Sequence, residues 1–229
     1  MIGFRIFARG RPVPADLVEA FRPLPVANVS DVMSRTAGAG AQLRPYHSGS
    51  GLCGAALTVR TRPGDNLLIH KALDMAEAGD VIVVDGGGDL SNALMGEMMM
   101  AHALKRGVAG IVIDGAVRDL EWITRNDLPV FAVGVTHRGP YKEGPGEINT
   151  TISVAGMVVA PGDLILGDAD GVVCVPRDDA VQICSAAFAK AKAEKRQMES
   201  ILDGTIDRSW IDTELARRNC VVTNEPQTR

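Results

Sequence analysis

Three charged side chains, Glu97, Arg118 and Asp119, have the types and the spacing that chemistry on a small acid needs. They form the pattern E-x20-R-D, and a helix, a short loop and a buried strand together use about twenty residues. Arg118 and Asp119 follow the apolar run GIVID, where a strand should end, and open α/β sheets bind ligands at such ends. The spacing therefore predicts that the three side chains meet at one rim of a sheet. A surface ion pair or a helix cap would also explain Arg118 and Asp119.

The same three side chains suit a metal ion that lies beside a bound carboxylate. Asp119 offers hard oxygen ligands for Mg²⁺ or Mn²⁺, and Glu97 can accept hydrogen bonds from the water molecules that such an ion retains. Arg118 can form two parallel hydrogen bonds with a substrate carboxylate or stabilise a developing enolate oxygen. The pattern predicts Lewis-acid chemistry next to a ketone, with Arg118 and Glu97 as catalytic residues.

The segment DGGGDLSNALMGE, which follows the run DVIVVD, allows three interpretations. If Gly96 marks the start of a helix, the backbone N–H groups of that helix end face an anion such as a small carboxylate. These amides belong to Gly96, Glu97, Met98 and Met99. The run VVDGGGD also resembles the glycine-rich turn of a nucleotide-binding or S-adenosylmethionine-binding fold, with Asp114 as the acidic partner. Three successive glycines can equally form a flexible turn alone.

The composition excludes several classes of protein. The 229 residues are 46% hydrophobic, which suffices for the core of one domain. A net charge of -4 and an aromatic content of 4% argue against a nucleic-acid-binding surface. The N-terminus does not resemble a secretory signal, and no apolar run reaches the roughly 18 residues of a membrane span. We therefore expect a soluble, cytoplasmic protein that binds neither nucleic acid nor membranes.

The cysteines and histidines are scattered along the chain, so the sequence predicts no zinc site. We expect reduced thiols that pack as small apolar groups, and histidines that lie at the surface or in packing positions. The residues concerned are Cys53, Cys174, Cys184, Cys220, His47, His70, His102 and His137.

The order of the elements predicts an α/β fold. Short helices are expected at residues 15–22 and 26–34, a strand at 52–60 and a helix at 66–77. Strands and helices then alternate, as in parallel β-α-β units with both sheet faces covered. The turns PGD and DADG in the later sequence predict antiparallel hairpins. A parallel β-α-β half thus joins a β-rich half in one core.

A long C-terminal helix is predicted over residues 179–202, with a charged second half that is either solvated or reaches a neighbouring subunit. We interpret residues 1–24 as an N-terminal extension and residues 25–202 as a single domain. Residues 203–229 form a polar tail that we expect to be peripheral or to contact a partner chain.

Long ungapped segments resemble the family that contains the regulator of ribonuclease activity A. The same family holds the class II aldolases that act on 4-hydroxy-4-methyl-2-oxoglutarate and 4-carboxy-4-hydroxy-2-oxoadipate. The similarity runs from about Val29 to Arg196. It rests on VSDVMSR, LCGAALTV followed by PGDN, GEMMMAHALKRGVAGIVIDGAVRD, LPVFAVG and AGMVVAPGDLILGDADGVVCVP. The resemblance implies the swivelling β/β/α fold and assembly as a homotrimer or hexamer.

The resemblance also implies roles for individual residues. It implies that the amides of residues 96–99 bind the substrate carboxylate, that Arg118 binds the substrate and that Asp119 binds the metal. It further implies that Glu194 of a neighbouring subunit acts on the metal through water. The chain departs from the family aldolase in its GGG run, so residues 86–94 and 137–149 are expected to shape the far end of the pocket.

The sequence therefore predicts a lyase, dependent on Mg²⁺ or Mn²⁺, that cleaves a 4-hydroxy-2-oxo acid to pyruvate, with oxaloacetate as a candidate for decarboxylation. A water on the metal, oriented by Glu97, is the expected base. Lys105 lies about two helical turns from the rim, which argues against a Schiff base. The alternatives are a non-catalytic protein that regulates a ribonuclease by surface contact and, less favoured, a methyltransferase.

Overall fold

Residues 3–49 and 51–223 are described in the computed structural model of this protein. The chain forms two compact units, Met1–Lys190 and Ala191–Arg229. Residues 1–2 of the expected N-terminal extension and residues 224–229 of the expected tail lie outside the described residues. The domain limits drawn from the sequence stay predictions.

The predicted elements appear in the expected order, and most of their bounds differ from the prediction by a few residues. The strands at residues 4–6 and 44–45 and the helix at 210–217 were not predicted. The strands are β1 (Phe4–Ile6), β2 (Arg44–Pro45), β3 (Leu52–Thr61), β4 (Asp80–Met95), β5 (Gly110–Val117), β6 (Val130–Val135), β7 (Gly146–Ile148), β8 (Ile152–Val154), β9 (Met157–Val159), β10 (Leu164–Asp168) and β11 (Gly171–Val175). The helices are α1 (Ala15–Phe21), α2 (Val26–Val32), α3 (Leu67–Met75), α4 (Glu97–Lys105), α5 (Leu120–Arg125), α6 (Ala180–Leu202) and α7 (Trp210–Arg217).

Four parallel strands, β3, β4, β5 and β6, form the centre of the main sheet, which confirms the predicted β-α-β units. Side chains of α3, α4 and α5 pack on one face of the sheet, and the β8–β9 hairpin packs on the other. Every residue of β5 except Asp114 is buried, as expected for a strand covered on both faces.

The β-rich part of the chain forms the antiparallel hairpins that the sequence predicts, β8 with β9 and β10 with β11. Strands β8 and β9 form a separate two-stranded sheet, whereas β10 and β7 join the main sheet by pairing with the first and the last residues of β3. Strand β1 then adds to β7 in parallel. Strand β3 thus connects the two halves, and the mixed α/β fold class is confirmed.

The prediction of a glycine loop after Asp85 is wrong, because β4 continues as an irregular strand to Met95. Its pairing with β5 shifts register several times between Asp85 and Met95. Gly87 and Gly88 both adopt a φ of 69°, which glycine tolerates because it has no Cβ. The expected start of the next helix at Gly96 is confirmed, since α4 begins at Glu97.

The predicted long C-terminal helix is confirmed as α6. In the second unit, Glu214 of α7 forms ion pairs with Arg217 and Arg218, and no residue of α7 is buried. None of the helices in the described part of the chain has both the length and the apolar character that a membrane crossing requires.

Asp65 connects the start of α3 with the loop that precedes β7. Its fully buried carboxylate accepts hydrogen bonds from the backbone N–H of Leu67 at 2.9 Å, of Glu143 at 2.7 Å and of Gly144 at 2.9 Å. Arg62 adds an ion pair at 3.2 Å. One carboxylate thus fixes two segments that are far apart in the sequence.

We predict that Asp65→Ala lowers the free energy of unfolding by about 3 kcal/mol, because three backbone amides lose a charged acceptor. Chemical denaturation measures this change. Arg62→Ala is the matched control, since it keeps the three amide hydrogen bonds. It removes a half-exposed side chain that also pairs with Glu143 and contacts the Tyr141 ring, and its cost should be smaller, about 1 kcal/mol. Equal costs for the two variants would contradict the role given to Asp65.

Candidate active site at the ends of two parallel strands

The predicted site residues Glu97, Arg118 and Asp119 meet at the carboxyl ends of β4 and β5. These strands are parallel neighbours, and Met95 at the end of β4 is paired with Val117 at the end of β5. The backbone N–H of Arg118 donates to the carbonyl of Met95 at 3.0 Å, so the pairing extends one step beyond the strands. Gly96 and Glu97 therefore lie beside Arg118 and Asp119, as the E-x20-R-D spacing predicts.

Asp119 has a left-handed backbone conformation, with φ of 62° and ψ of 46°, at the start of α5. Such a conformation is uncommon outside glycine, although aspartate and asparagine adopt it more readily than other residues. Its side chain makes no capping hydrogen bond to α5. Instead Oδ2 accepts the backbone N–H of Glu97 at 2.9 Å and lies 3.6 Å from Nε of Arg118. The cap and the ion pair weighed from the sequence both exist, but the cap serves the neighbouring helix α4.

The four amides predicted to bind a carboxylate differ in their partners. The N–H of Glu97 donates to Asp119, and the N–H of Met99 donates to the carbonyl of Gly96 at 3.1 Å. Among the described residues, the N–H groups of Gly96 and Met98 have no recorded acceptor. These two amides, at the positive end of a nine-residue helix, are the ones available to an anion.

Two cavities of opposite charge lie on the two sides of the Arg118 and Asp119 pair. The first has a volume of about 170 Å³, and its lining contains Arg118, His70 and Lys142 but no carboxylate. The second, of about 270 Å³, is lined by Glu97, Asp119, Glu121, Trp122, Arg125 and Asn126. The first therefore suits an anion, and the second suits a cation.

The side chains around the acidic cavity fit a hard divalent cation. Asp119 and Glu97 both line it, and among the described residues no donor is recorded to Oδ1 of Asp119. Carboxylate oxygens are the ligands that Mg²⁺ and Mn²⁺ prefer, and Mg²⁺ commonly binds through one or two carboxylates while keeping several waters. Across the described part of the chain, no three His, Cys, Asp or Glu side chains cluster as a complete set of metal ligands. The arrangement therefore resembles an open site with few protein ligands.

Asn66 lines the basic cavity, and the sequence did not identify it as a site residue. It occupies the position before α3 where asparagine usually caps a helix, but its side chain makes no capping bond. The carboxylate of Asp65 accepts the N–H of Leu67 there instead. The motif PGDN, which contains Asp65 and Asn66, is thus the sequence pattern that could have indicated Asn66 as a site residue.

His70 and Lys142 line the same cavity and were also missed. The sequence predicts a packing or surface position for His70 and does not single out Lys142, although it expects the segment 137–149 to shape the pocket. Burial lowers the pKa of His70 below its ordinary value of 6.5, and the positive charge of Lys142 lowers it further. His70 therefore lies in the cavity as a mainly neutral imidazole near pH 7.

The nucleotide-type interpretation of the glycine run does not fit the structure. The glycines lie within β4 and no helix begins directly after them, so the strand-turn-helix geometry of such a site is missing from the described residues. Asp114, its proposed acidic partner, accepts the backbone N–H of Ala155 at 2.9 Å. Asp85 and Asp89 instead accept backbone N–H groups in local turns, and Asn92 donates to the carbonyl of Gly139.

Neither the cysteines nor Glu194 are among the residues that line the two cavities at the rim. Every cysteine of the chain is described and free, and burial raises the pKa of Cys53 to about 11, which disfavours a nucleophilic thiolate. Glu194 lies on α6 in the second unit, whereas the other predicted site residues lie in the first. Its role stays a prediction.

We predict that Gly96→Ala disrupts the site while the fold persists. A Cβ at this position would clash with Oδ2 of Asp119 and approach Cγ of Arg118 to 2.9 Å, so both side chains must move. Overpacking of this kind costs about 1–3 kcal/mol. A crystal structure of the variant should show Asp119 displaced from the N–H of Glu97.

Gly10→Ala is the control for this substitution, because its added Cβ would meet only the carbonyl of Pro161 at 3.9 Å. It should leave both the stability and the site geometry unchanged. An unshifted Asp119 in Gly96→Ala would contradict the close approach described above.

We predict that Lys142→Met raises the pKa of His70, since it removes a positive charge that disfavours the imidazolium. His70 then takes up its proton at a higher pH than in the wild-type protein, and a histidine titration by NMR measures the shift. Asp74→Asn should move the pKa in the opposite direction, because Asp74 raises it. Lys71→Met controls for general loss of positive charge, and an equal shift in that variant would contradict the effect of Lys142.

The chain is similar in sequence and in fold to several known proteins. A protein from Halalkalibacterium halodurans, provisionally named 4-hydroxy-4-methyl-2-oxoglutarate aldolase, is 35% identical over 191 residues, which cover 83% of this chain and 91% of that protein. The structure of an uncharacterised protein from Pseudomonas syringae superposes with a TM-score of 0.77 at 25% identity, covering 86% of this chain and 97% of that one. The RNA-processing inhibitor RraA from Thermus thermophilus gives a TM-score of 0.62 at 33% identity, covering 66% of this chain and 92% of that one.

The match to a known family includes both the β4–β5 rim and the strands that support it. Residues 26–174, more than half of the chain, match the family described as RraA-like, Aldolase/RraA. Together with 35% identity over most of the H. halodurans protein, this match identifies the chain as a member of the RraA-like (Aldolase/RraA) family.

Proposed function

We propose that this protein is a divalent-metal-dependent lyase that cleaves a 4-hydroxy-2-oxo acid to pyruvate and a second carbonyl compound. The observation that carries the proposal is the junction of a basic and an acidic cavity at Arg118 and Asp119. A 2-oxo acid presents a carboxylate and, one carbon away, a keto oxygen that a cation can polarise. The aldolase name of the H. halodurans relative supports the same class of reaction.

The basic cavity binds the pyruvyl end of the substrate. Its volume of about 170 Å³ is several times the roughly 30 Å³ that one water takes up in the liquid, so a small organic acid fits. The N–H groups of Gly96 and Met98 hold the carboxylate at the positive end of α4. The guanidinium of Arg118 hydrogen-bonds the 2-oxo group and favours negative charge on its oxygen.

The acidic cavity would hold the metal, with Asp119 as a ligand and Glu97 as an acceptor for water molecules around the ion. A bound Mg²⁺ or Mn²⁺ supplies Lewis-acid polarisation of the 2-oxo group. Because Asp119 also holds the N–H of Glu97, the side chain that binds the metal and the helix that binds the carboxylate have a fixed spacing.

Cleavage begins when a water oriented by Glu97 takes the proton of the 4-hydroxyl group. The O–H electron pair becomes the carbonyl of the second product, the C3–C4 bond breaks, and its electron pair moves to the pyruvyl part as an enolate. Arg118 stabilises that negative charge, and protonation at C3 gives pyruvate. Oxaloacetate can lose CO₂ through the same enolate, with no hydroxyl proton to remove.

We further propose that the protein acts as a homotrimer or hexamer in which Glu194 of a neighbouring subunit acts on the metal through water, as the family resemblance implies. Glu194→Gln should then lower the rate of cleavage without removing metal-dependent binding of pyruvate.

The test is release of pyruvate from 4-hydroxy-4-methyl-2-oxoglutarate and from oxaloacetate, measured by a coupled dehydrogenase assay with Mg²⁺ or with EDTA. We predict that Arg118→Ala and Asp119→Ala each lower kcat/KM at least about 100-fold, because each removes stabilisation of the developing charge. EDTA should reduce the wild-type rate to background.

Arg22→Ala is the matched control, since Arg22 is an exposed arginine that pairs with Glu19 on α1. It should retain the wild-type rate. If wild type and Arg118→Ala release pyruvate at the same rate at saturating metal, the lyase proposal fails.

The likeness to the RNA-processing inhibitor supports a second candidate, a regulator that acts by binding a ribonuclease. A surface inhibitor has no need of two charged cavities at a strand end. Inhibition of a ribonuclease that is unaffected by Arg118→Ala and Asp119→Ala, together with no pyruvate release, would favour the regulator.

A further inference from the structure

Asn66 carries a buried polar atom with no partner. Its side chain is 2% exposed, and in the described part of the chain its Oδ1 is a buried oxygen that lacks a hydrogen bond. A buried acceptor without a donor is costly, so it is rare in folded proteins and often marks a functional group. Asn66 lines the basic cavity beside Gly96 and Arg118. The missing donor is therefore expected from a molecule in that cavity.

The orientation of the Asn66 amide follows from its neighbours. Nδ2 donates to the carbonyl of Leu94 at 3.0 Å and contacts Sδ of Met99 at 3.2 Å. A carbonyl can only accept, so exchanging the nitrogen and the oxygen would place two acceptors together. The atom without a partner is therefore an acceptor, and only a donor can satisfy it.

The charge of the cavity restricts the kind of donor. Arg118 and Lys142 line the cavity and no carboxylate does, so an ammonium group would be repelled and an anion is favoured. The oxygens of a carboxylate or a ketone cannot donate to Oδ1. An acid that satisfies both the cations and Asn66 must therefore also carry a neutral donor, and a hydroxyl group is the simplest one.

We propose that Oδ1 of Asn66 accepts a hydrogen bond from a hydroxyl group of the bound acid, so that Asn66 selects hydroxylated 2-oxo acids over their deoxy analogues. This inference rests on the proposed function for the pyruvyl part of the ligand. It adds a specificity-determining residue that acts in binding, before the chemical step. The hydroxyl proton must turn from Asn66 to the water oriented by Glu97 before cleavage begins, so Asn66 is separate from the groups that break the carbon–carbon bond.

The test compares binding of 4-hydroxy-2-oxobutanoate and 2-oxobutanoate, which differ only in the hydroxyl group, by calorimetry in EDTA so that cleavage is suppressed. Wild type should bind the hydroxylated acid about tenfold more tightly, the effect of one buried hydrogen bond. Asn66→Leu has a similar volume and no acceptor, so the ratio of the two affinities should fall to about one. Because both affinities are measured on the same variant, their ratio is not changed by a loss of stability that weakens binding of the two acids equally.

Asn149→Gly is the matched control. Asn149 is also buried and its Nδ2 donates to one backbone carbonyl, that of Phe7 at 3.0 Å, but it does not line the cavity. Its φ of 59° suits glycine, so this variant should fold and keep the wild-type ratio.

Equal binding of the two acids by wild type, binding of neither, or an unchanged ratio in Asn66→Leu would overturn the proposal. The wild-type ratio requires no variant, so the test does not depend on folding of Asn66→Leu. A tenfold preference without pyruvate release in the coupled assay would leave this inference standing while the lyase proposal fails. Pyruvate release without a preference for the hydroxylated acid would support the lyase proposal and overturn this inference.

Discussion

The pairing of Met95 with Val117 is the constraint on which the site depends. It aligns the ends of two buried parallel strands, so the first residues after each strand lie side by side. Gly96 must then lack a side chain, because Asp119 and Arg118 occupy the space that a Cβ would need. The carboxylate of Asp119 in turn holds the first amide of α4. A shift in register between the two strands would separate all of these groups at once. The buried core on both faces of β5 therefore also maintains the geometry of the site.

The resulting rim separates charge over a short distance. Helix-end amides and cations surround one cavity, carboxylates surround the other, and the Arg118 to Asp119 contact of 3.6 Å lies between them. That distance is longer than a good charge-assisted hydrogen bond. Arg118 is therefore not fully committed to Asp119, and each side chain keeps hydrogen-bonding capacity for a ligand of opposite charge. A molecule with an anionic end and a polarisable carbonyl fits this division better than a uniformly charged one.

The sequence predicted the parts of the site that depend on local order along the chain. The E-x20-R-D spacing located Glu97, Arg118 and Asp119 on one rim because strand and helix lengths vary little. The sequence-based prediction failed at β4, where three glycines resemble a loop. They lie in an irregular strand, at the register shift between the paired residues Asp85 and Asp89. The prediction also missed Asn66, His70 and Lys142, which meet only because Asp65 fixes a loop from a distant part of the chain. Contacts of that kind depend on tertiary structure, and no pattern within a short window reports them.

The left-handed backbone at Asp119 has an evolutionary consequence. Most side chains are strained in that conformation by about 1–3 kcal/mol, whereas glycine and asparagine adopt it easily. Either of those residues could replace Asp119 with little cost to the turn, yet neither supplies a charged carboxylate for a cation. Either replacement would leave the fold intact and remove the cation binding that we propose for this position, so loss of that role during evolution would need a change at one residue only.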